Sequence, residues 1–148
     1  DDLYFIAGLA AFLLAHIFYI IAFLQLVDEK PVSFQWKYAA PLIIFCFLLL
    51  GFLYNGLGEM RFPVIAYAVV ITVMGIAAMH RIGRTAKYSF SFVLTGALFF
   101  IASDAMIAIN KFQTPFQYAS FLIMTTYIAA QYLIVSGCVL HIKEKAPQ

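Results

Sequence analysis

Five apolar runs divide the chain, each close to or beyond the length a helix needs to cross a bilayer. They cover residues 3–26, 38–54, 62–80, 88–110 and 116–140. A helix rises about 1.5 Å per residue, so about 20 apolar residues cross the hydrocarbon core. In lipid every backbone N–H and C=O needs an internal partner, which restricts a spanning segment to a helix or a closed barrel. The alternating pattern of barrel strands is absent. The expected fold is therefore all-α, a polytopic transmembrane helix bundle forming one domain over residues 1–148. Short connections make successive helices antiparallel neighbours.

Composition supports the same class. The chain is 65% hydrophobic and 11% charged, with a mean hydropathy of +0.96. A soluble domain is nearer half apolar and a quarter charged. A soluble globular domain, a disordered tail and a nucleic-acid binder are excluded, and a net charge of +2 argues for no polyanion partner. Cys46 and Cys138 both sit in apolar runs. They are too few for a disulfide framework or a zinc site and read as small apolar residues. The chain begins Asp1-Asp2 and enters a span at once, so a processed or truncated form of a longer protein is expected. No signal-peptide pattern is present.

Charge placement sets the orientation. Lys30, Lys37, Arg81, Arg84, Lys87, Lys143 and Lys145 fall in the first loop, the third loop and the tail. Arg61 and Lys111 fall on the opposite side. The positive-inside rule then puts the C-terminus in the cytoplasm, with a bacterial cytoplasmic membrane as the expected location. Tyr4, Trp36, Tyr38, Tyr88, Phe116 and Tyr118 lie near the span ends, where aromatic residues favour the interface. The basic third loop reads as a topology determinant, with phosphate recognition at the membrane surface as the other reading.

One charged residue is out of place. Asp104 lies inside the fourth run. A carboxylate there costs about 2.5–3.5 kcal/mol on insertion scales and must face a neighbouring helix or a wet cavity. It is the first candidate for chemistry, as a general acid or a polar ligand contact. His16 is near the middle of the first run, with Tyr19 three residues on. Antiparallel crossing puts His16 and Asp104 within about 10 Å in depth. Tyr127 and Gln131 share one face of the fifth run, with Thr125 and Thr126 at that level. Tyr67 and Met74 share a stripe of the third run, a packing pattern that also makes Tyr67 an orienting candidate. Ser103, beside Asp104, is placed either for a ligand or for its own helix backbone.

Other chemistries lack their residues. His16, His80 and His141 occupy one mid-membrane and two edge positions, so no bis-histidine haem pair forms. No nucleophile elbow and no glycine-rich phosphate loop is present. No metal and no cofactor is expected. On residues alone two classes stay open: an enzyme using Asp104, and a non-enzymatic lipid-binding or transport bundle with a polar Asp/His relay.

Four stretches carry a resemblance: GLAAFLLAHIFYIIAF (8–23), PVIAYAVVITVM (63–74), GALFFIASDAMIAINKF (96–112) and TYIAAQYLI (126–134). In this order they resemble the YhhN-type lysoplasmalogenase family of polytopic membrane proteins. The resemblance implies a hydrolase that cleaves the vinyl-ether bond of a lysoplasmalogen, giving a fatty aldehyde and a glycerophospho-base. The implied partners are a lysophospholipid substrate and the bilayer. For that reaction the expected catalytic residues are Asp104, as acid or charge stabiliser, and His16, with Tyr19, Tyr67, Ser103, Tyr127 and Gln131 expected to bind or orient the substrate. Such proteins have about eight spans, so three are expected before Asp1. The family also carries a Gly-Asp element shortly before the span that holds His16. Asp1 and Asp2 stand at that place without the glycine, and a second carboxylate is expected to be Asp1, Asp2 or a residue outside this chain.

Overall fold

A computed structural model describes residues 2–33 and 36–146. Five long helices build it: α1 (Asp2–Gln25), α2 (Ala40–Leu53), α3 (Arg61–His80), α4 (Lys87–Phe112) and α5 (Ala119–Lys145). Among the described residues there is no strand. All five segments are long and apolar enough to cross a membrane. Short 3₁₀ turns, Trp36–Tyr38 before α2 and Tyr54–Gly56 after it, extend that shortest span. Pro41 occupies the start of α2, where the missing N–H has no intrahelical partner to lose.

The fifth helix departs most from the expected boundaries. It starts three residues late and runs five residues past Leu140. Tyr118, with φ 62°, turns the chain into it. Lys143 and Lys145 prolong it because cations favour the negative end of the helix dipole.

Packing order is not chain order. The tightest pair is α4 with α5, and α1 packs chiefly on α3 rather than on its sequence neighbour α2. The expectation of sequential neighbours fails for α1 and α2. Gly96 and Gly137 bring α4 and α5 together: a Cβ on Gly96 would stand 2.9 Å from the Ala130 carbonyl oxygen. A Cβ on Gly137 would stand 2.9 Å from the Ser89 carbonyl oxygen. Small residues at such a seam allow the dispersion contacts that hold helices together in lipid.

The core collects Phe23, Met74, Val93, Phe100 and Ile134. Large apolar side chains such as Leu14, Phe18, Phe47, Leu48, Phe121 and Tyr132 point outward, as lipid-facing residues do. Tyr4, Trp36, Tyr88 and Tyr118 are exposed near the helix ends.

The two ends of the bundle differ. At the end rich in basic residues, the Asp28 N–H donates to the Arg84 carbonyl at 2.7 Å and Arg84 donates to the Val32 carbonyl at 2.5 Å. Lys145 Nζ reaches Asp28 at 2.7 Å, which ties the end of α5 to the first loop. At the other end the Asn55–Gly58 turn docks on the end of α4. A Cβ on Gly56 would collide with the Phe112 carbonyl oxygen, and Gln113 donates to the Phe52 carbonyl at 2.5 Å.

Candidate active site

One basic residue of the third loop turns inward. Arg81 is fully buried. Its Nη1 donates to the Leu26 carbonyl at 2.6 Å and its Nη2 to Ser89 Oγ at 2.9 Å. Ser89 in turn donates to the Gly137 carbonyl at 2.7 Å. Arg81 therefore ties the ends of α1 and α3 to the start of α4, and through Ser89 to α5, and is not displayed toward the membrane surface. Burial favours its uncharged form and lowers its pKa from the ordinary arginine range. The two cysteines are free and half-buried.

Asp104 sits on the inner face of α4, one-tenth exposed, and looks toward α1 and α3. Tyr67 from α3 donates its hydroxyl to Asp104 Oδ2. His16 from α1 is fully buried, with Nε2 3.7 Å from the same oxygen. The ring is oriented by its own helix: Nδ1 lies 2.6 Å from the Phe12 carbonyl oxygen. A carbonyl only accepts, so Nδ1 carries the proton and Nε2 of the neutral ring offers a lone pair. Nε2 has no hydrogen-bond partner among the described residues. A bare acceptor is thus buried beside a carboxyl group, a constellation in which a proton can be shared or passed.

Aromatic rings fix this geometry. Phe100, one turn before Asp104 on α4, packs edge-on against His16 at 4.6 Å between centroids. Tyr67 meets His16 at 5.4 Å, also edge-on. Such ring pairs add about 0.5–1.5 kcal/mol beyond area burial and hold ring orientation. The depth works out because Phe5 of α1 and Phe112 of α4 touch at 5.7 Å. From that contact, eleven residues lead to His16 and eight to Asp104, a difference of about 4.5 Å in rise that side-chain length covers.

Other candidates are placed elsewhere. Tyr19 donates to Gln131 Oε1 and so links α1 to α5. Tyr127 packs on Phe12 at 5.8 Å and Phe100 at 5.5 Å. The Phe100 ring touches His16 as well as Tyr19 and Tyr127, so the Tyr19–Gln131 pair sits against its other contacts and not on Asp104. Ser103 is buried and donates to the Ile123 carbonyl of α5 at 3.1 Å. Thr125 and Thr126 bond back to their own helix at 2.8 Å each. Asp1 lies outside the described residues, as does the side chain of Asp2; the described partners of Asp104 are Tyr67 and His16. Phe100 was not singled out from the sequence, although its place four residues before Asp104 puts it on the same helix face.

Two cavities meet at this group. The larger, about 270 Å³, lies between α1, α3 and α4, with Gly8, Leu9, Phe12, Tyr67 and Asp104 in its walls. The smaller, about 60 Å³, lies between α2, α3 and α4 and shares Val64, Tyr67, Asp104 and Ala108 with it. The Tyr67–Asp104 pair is therefore a polar partition in a largely apolar passage.

Fold and site together define a multi-pass membrane helix bundle with an acid and a tyrosine between two apolar cavities and a histidine buried beside the acid. The chain belongs to the YhhN family, whose profile matches residues 1–138. It is 34% identical over 143 residues to a protein of Bos taurus named lysoplasmalogenase TMEM86A, which covers 94% of this chain and 57% of that protein. A human protein of the same name is 35% identical over 144 residues, again covering 94% of this chain and 57% of the relative. A Mycobacterium tuberculosis protein named lysoplasmalogenase is 32% identical over 138 residues, covering 90% of this chain and 50% of that protein. The chain thus spans about half the length of the curated relatives it matches. No solved structure matches it.

Proposed function

We propose that this chain carries the acid–base centre of a membrane lysoplasmalogenase, which hydrolyses the vinyl-ether bond of a lysoplasmalogen to a fatty aldehyde and a glycerophospho-base. The observation that carries this reading is the Tyr67–Asp104 pair at the junction of two apolar cavities, with His16 buried beside Asp104. The names of the relatives supply the substrate class.

Vinyl ethers hydrolyse through protonation at carbon. Asp104, as the acid, transfers its proton to the β-carbon and becomes a carboxylate facing the resulting oxocarbenium ion. Water adds to the cationic carbon and gives a proton to Nε2 of His16. The hemiacetal then collapses: His16 returns its proton to the glycerol oxygen, and the hemiacetal hydroxyl returns one to Asp104. One water is consumed and both side chains regain their starting state. General acid catalysis of this kind contributes typically about 10²–10⁴-fold. Tyr67 orients the Asp104 carboxyl, and Phe100 and Phe12 hold the His16 ring. The Tyr19–Gln131 pair braces α1 against α5, and Tyr127 shapes the wall behind Phe100.

The single-chain substrate suits the passage. The first carbons of the alkenyl chain enter the small apolar cleft among α2, α3 and α4 and the rest of the chain continues toward lipid, while the headgroup faces the end of the bundle that bears Lys111. Loop charges support an orientation with the end of α5 in the cytoplasm and Lys111 on the other side.

The test is aldehyde release from lysoplasmenyl-ethanolamine by the purified full-length protein. Asp104→Asn keeps the shape and removes the proton, so turnover is expected to fall by at least about 100-fold. Turnover by Asp104→Asn near the parent rate would remove Asp104 from the reaction. A requirement for a proton gradient would favour the relay reading instead.

A further inference from the structure

A third cavity, about 540 Å³, opens at the end of the bundle away from the basic loops. Its walls are Ile6, Leu57, Glu59, Met60, Pro63, Lys111 and Phe112. It adjoins the large apolar cavity: Phe112 lines both, and Ile6 and Pro63 stand next in sequence to Phe5 and Val64 of the inner one. Unlike the inner cavities, it has both a cation, Lys111, and an anion, Glu59, among its described wall residues. Lys111 Nζ lies 4.3 Å from the centre of the Phe5 ring, so the ammonium stands where the two cavities join. Arg61, the other basic side chain at this end, lies over the Tyr54 ring at 4.5 Å and does not line the cavity.

We propose that this outer cavity is a headgroup subsite for a zwitterionic glycerophospholipid, with Lys111 taking the phosphate and Glu59 the ammonium. The inference rests on the reading that Asp104 protonates the vinyl ether, and distance is its main support. Asp104 and Lys111 are seven residues apart on α4, two helical turns, which puts them on nearly the same face and about 10.5 Å apart along the axis. In a lysoplasmalogen the protonated carbon and the phosphorus are separated by seven bonds through the ether oxygen and the glycerol. Extended, that path covers roughly 9 Å at about 1.25 Å of advance per bond. A substrate with its vinyl carbon at Asp104 therefore brings its phosphate within reach of a lysine side chain at Lys111. The amine, four bonds further, arrives in a cavity with the Glu59 carboxylate in its described wall. A cation paired with phosphate and a carboxylate paired with ammonium read both charges of the headgroup.

The experiment uses full-length protein and three substrates of equal chain length: lysoplasmenyl-ethanolamine, alkenyl-glycerophosphate and neutral alkenylglycerol. The readout is the ratio of kcat/KM values. The parent is expected to prefer the ethanolamine lipid over alkenylglycerol, and Lys111→Met to shrink that preference at least about tenfold, chiefly through KM. Lys111→Arg, which keeps the charge, is expected to restore most of it. Glu59→Gln is expected to shrink the preference for the ethanolamine lipid over alkenyl-glycerophosphate. The proposal is overturned if the Lys111→Met preference stays within twofold of the parent, or if Lys111→Arg loses as much as Lys111→Met. Aldehyde release with an unchanged preference refutes the subsite alone, whereas no aldehyde from any substrate refutes the catalytic reading together with it.

Discussion

Replacing Tyr67 with Phe removes one oxygen atom from the interior of the bundle. The ring stays, and with it the edge-on contact to His16 at 5.4 Å. What disappears is the hydroxyl that donates to Asp104 Oδ2. In the proposed reaction that bond sets the rotamer of the acid and steadies the carboxylate left after proton transfer. A hydrogen bond to a charged group is worth about 1.5–3 kcal/mol, and each 1.36 kcal/mol is about tenfold. The expected loss in kcat is therefore about 10- to 150-fold, with little change in KM because the apolar walls are untouched. Tyr19→Phe is the matched comparison. It also deletes a half-buried phenol hydroxyl, but one bonded to Gln131 rather than to Asp104, so kcat is expected to stay within about threefold of the parent. The assay is continuous aldehyde release at saturating lysoplasmenyl lipid, with thermal unfolding in detergent as the fold control. Equal effects of the two substitutions, or a Tyr67→Phe enzyme at the parent rate, would refute the assignment of Tyr67 to the acid.

Three further outcomes follow from the packing. Gly96→Ala places a methyl 2.8–2.9 Å from Ile134 and the Ala130 carbonyl, so α4 and α5 must separate, at a cost of about 1–3 kcal/mol; Gly51→Ala meets nothing within 4 Å and should leave the melting temperature unchanged or raised. Arg81→Ala breaks the bonds to Leu26 and Ser89 and is expected to destabilise by about 3 kcal/mol, read as a lower Tm in detergent. Lys145, and after it Lys30, hold the Asp28 carboxyl at about 2, below its ordinary 3.8. A depressed carboxylate pKa means the contact is complete above about pH 4 and is lost as pH falls toward 2. A spin label at Ala146 should therefore be immobile at neutral pH and mobile over that range, and mobile throughout in Asp28→Asn.

Axial position was legible in the sequence; rotation about each axis was not. Run lengths located five spans, and crossing direction put His16 and Asp104 at compatible depths, as their 3.7 Å approach confirms. Which tyrosine would meet Asp104 was open, with Tyr19, Tyr67 and Tyr127 all within the apolar runs. Residue type did not separate them, because a helix that is apolar all round meets lipid and protein with nearly equal ease. The same blindness hid Phe100, whose apolar side chain carries no signal apart from its spacing to Asp104. It also hid the bond that the Ser103 hydroxyl makes across the α4–α5 seam.

What the sequence by itself determined is the set of spans, their alternating direction and the single acid among them. Hydrophobicity, backbone hydrogen bonding and the cost of a charge in hydrocarbon act on each segment alone, before any helix has a neighbour. Tertiary structure decided that α1 lies on α3 rather than on α2, that Arg81 turns inward, and that Tyr67 and His16 converge on Asp104 Oδ2. Those outcomes depend on where side chains of two helices interlock. That is a matter of shape, of glycines such as Gly96 and Gly137 that let backbones close up, and of a few buried donors seeking acceptors.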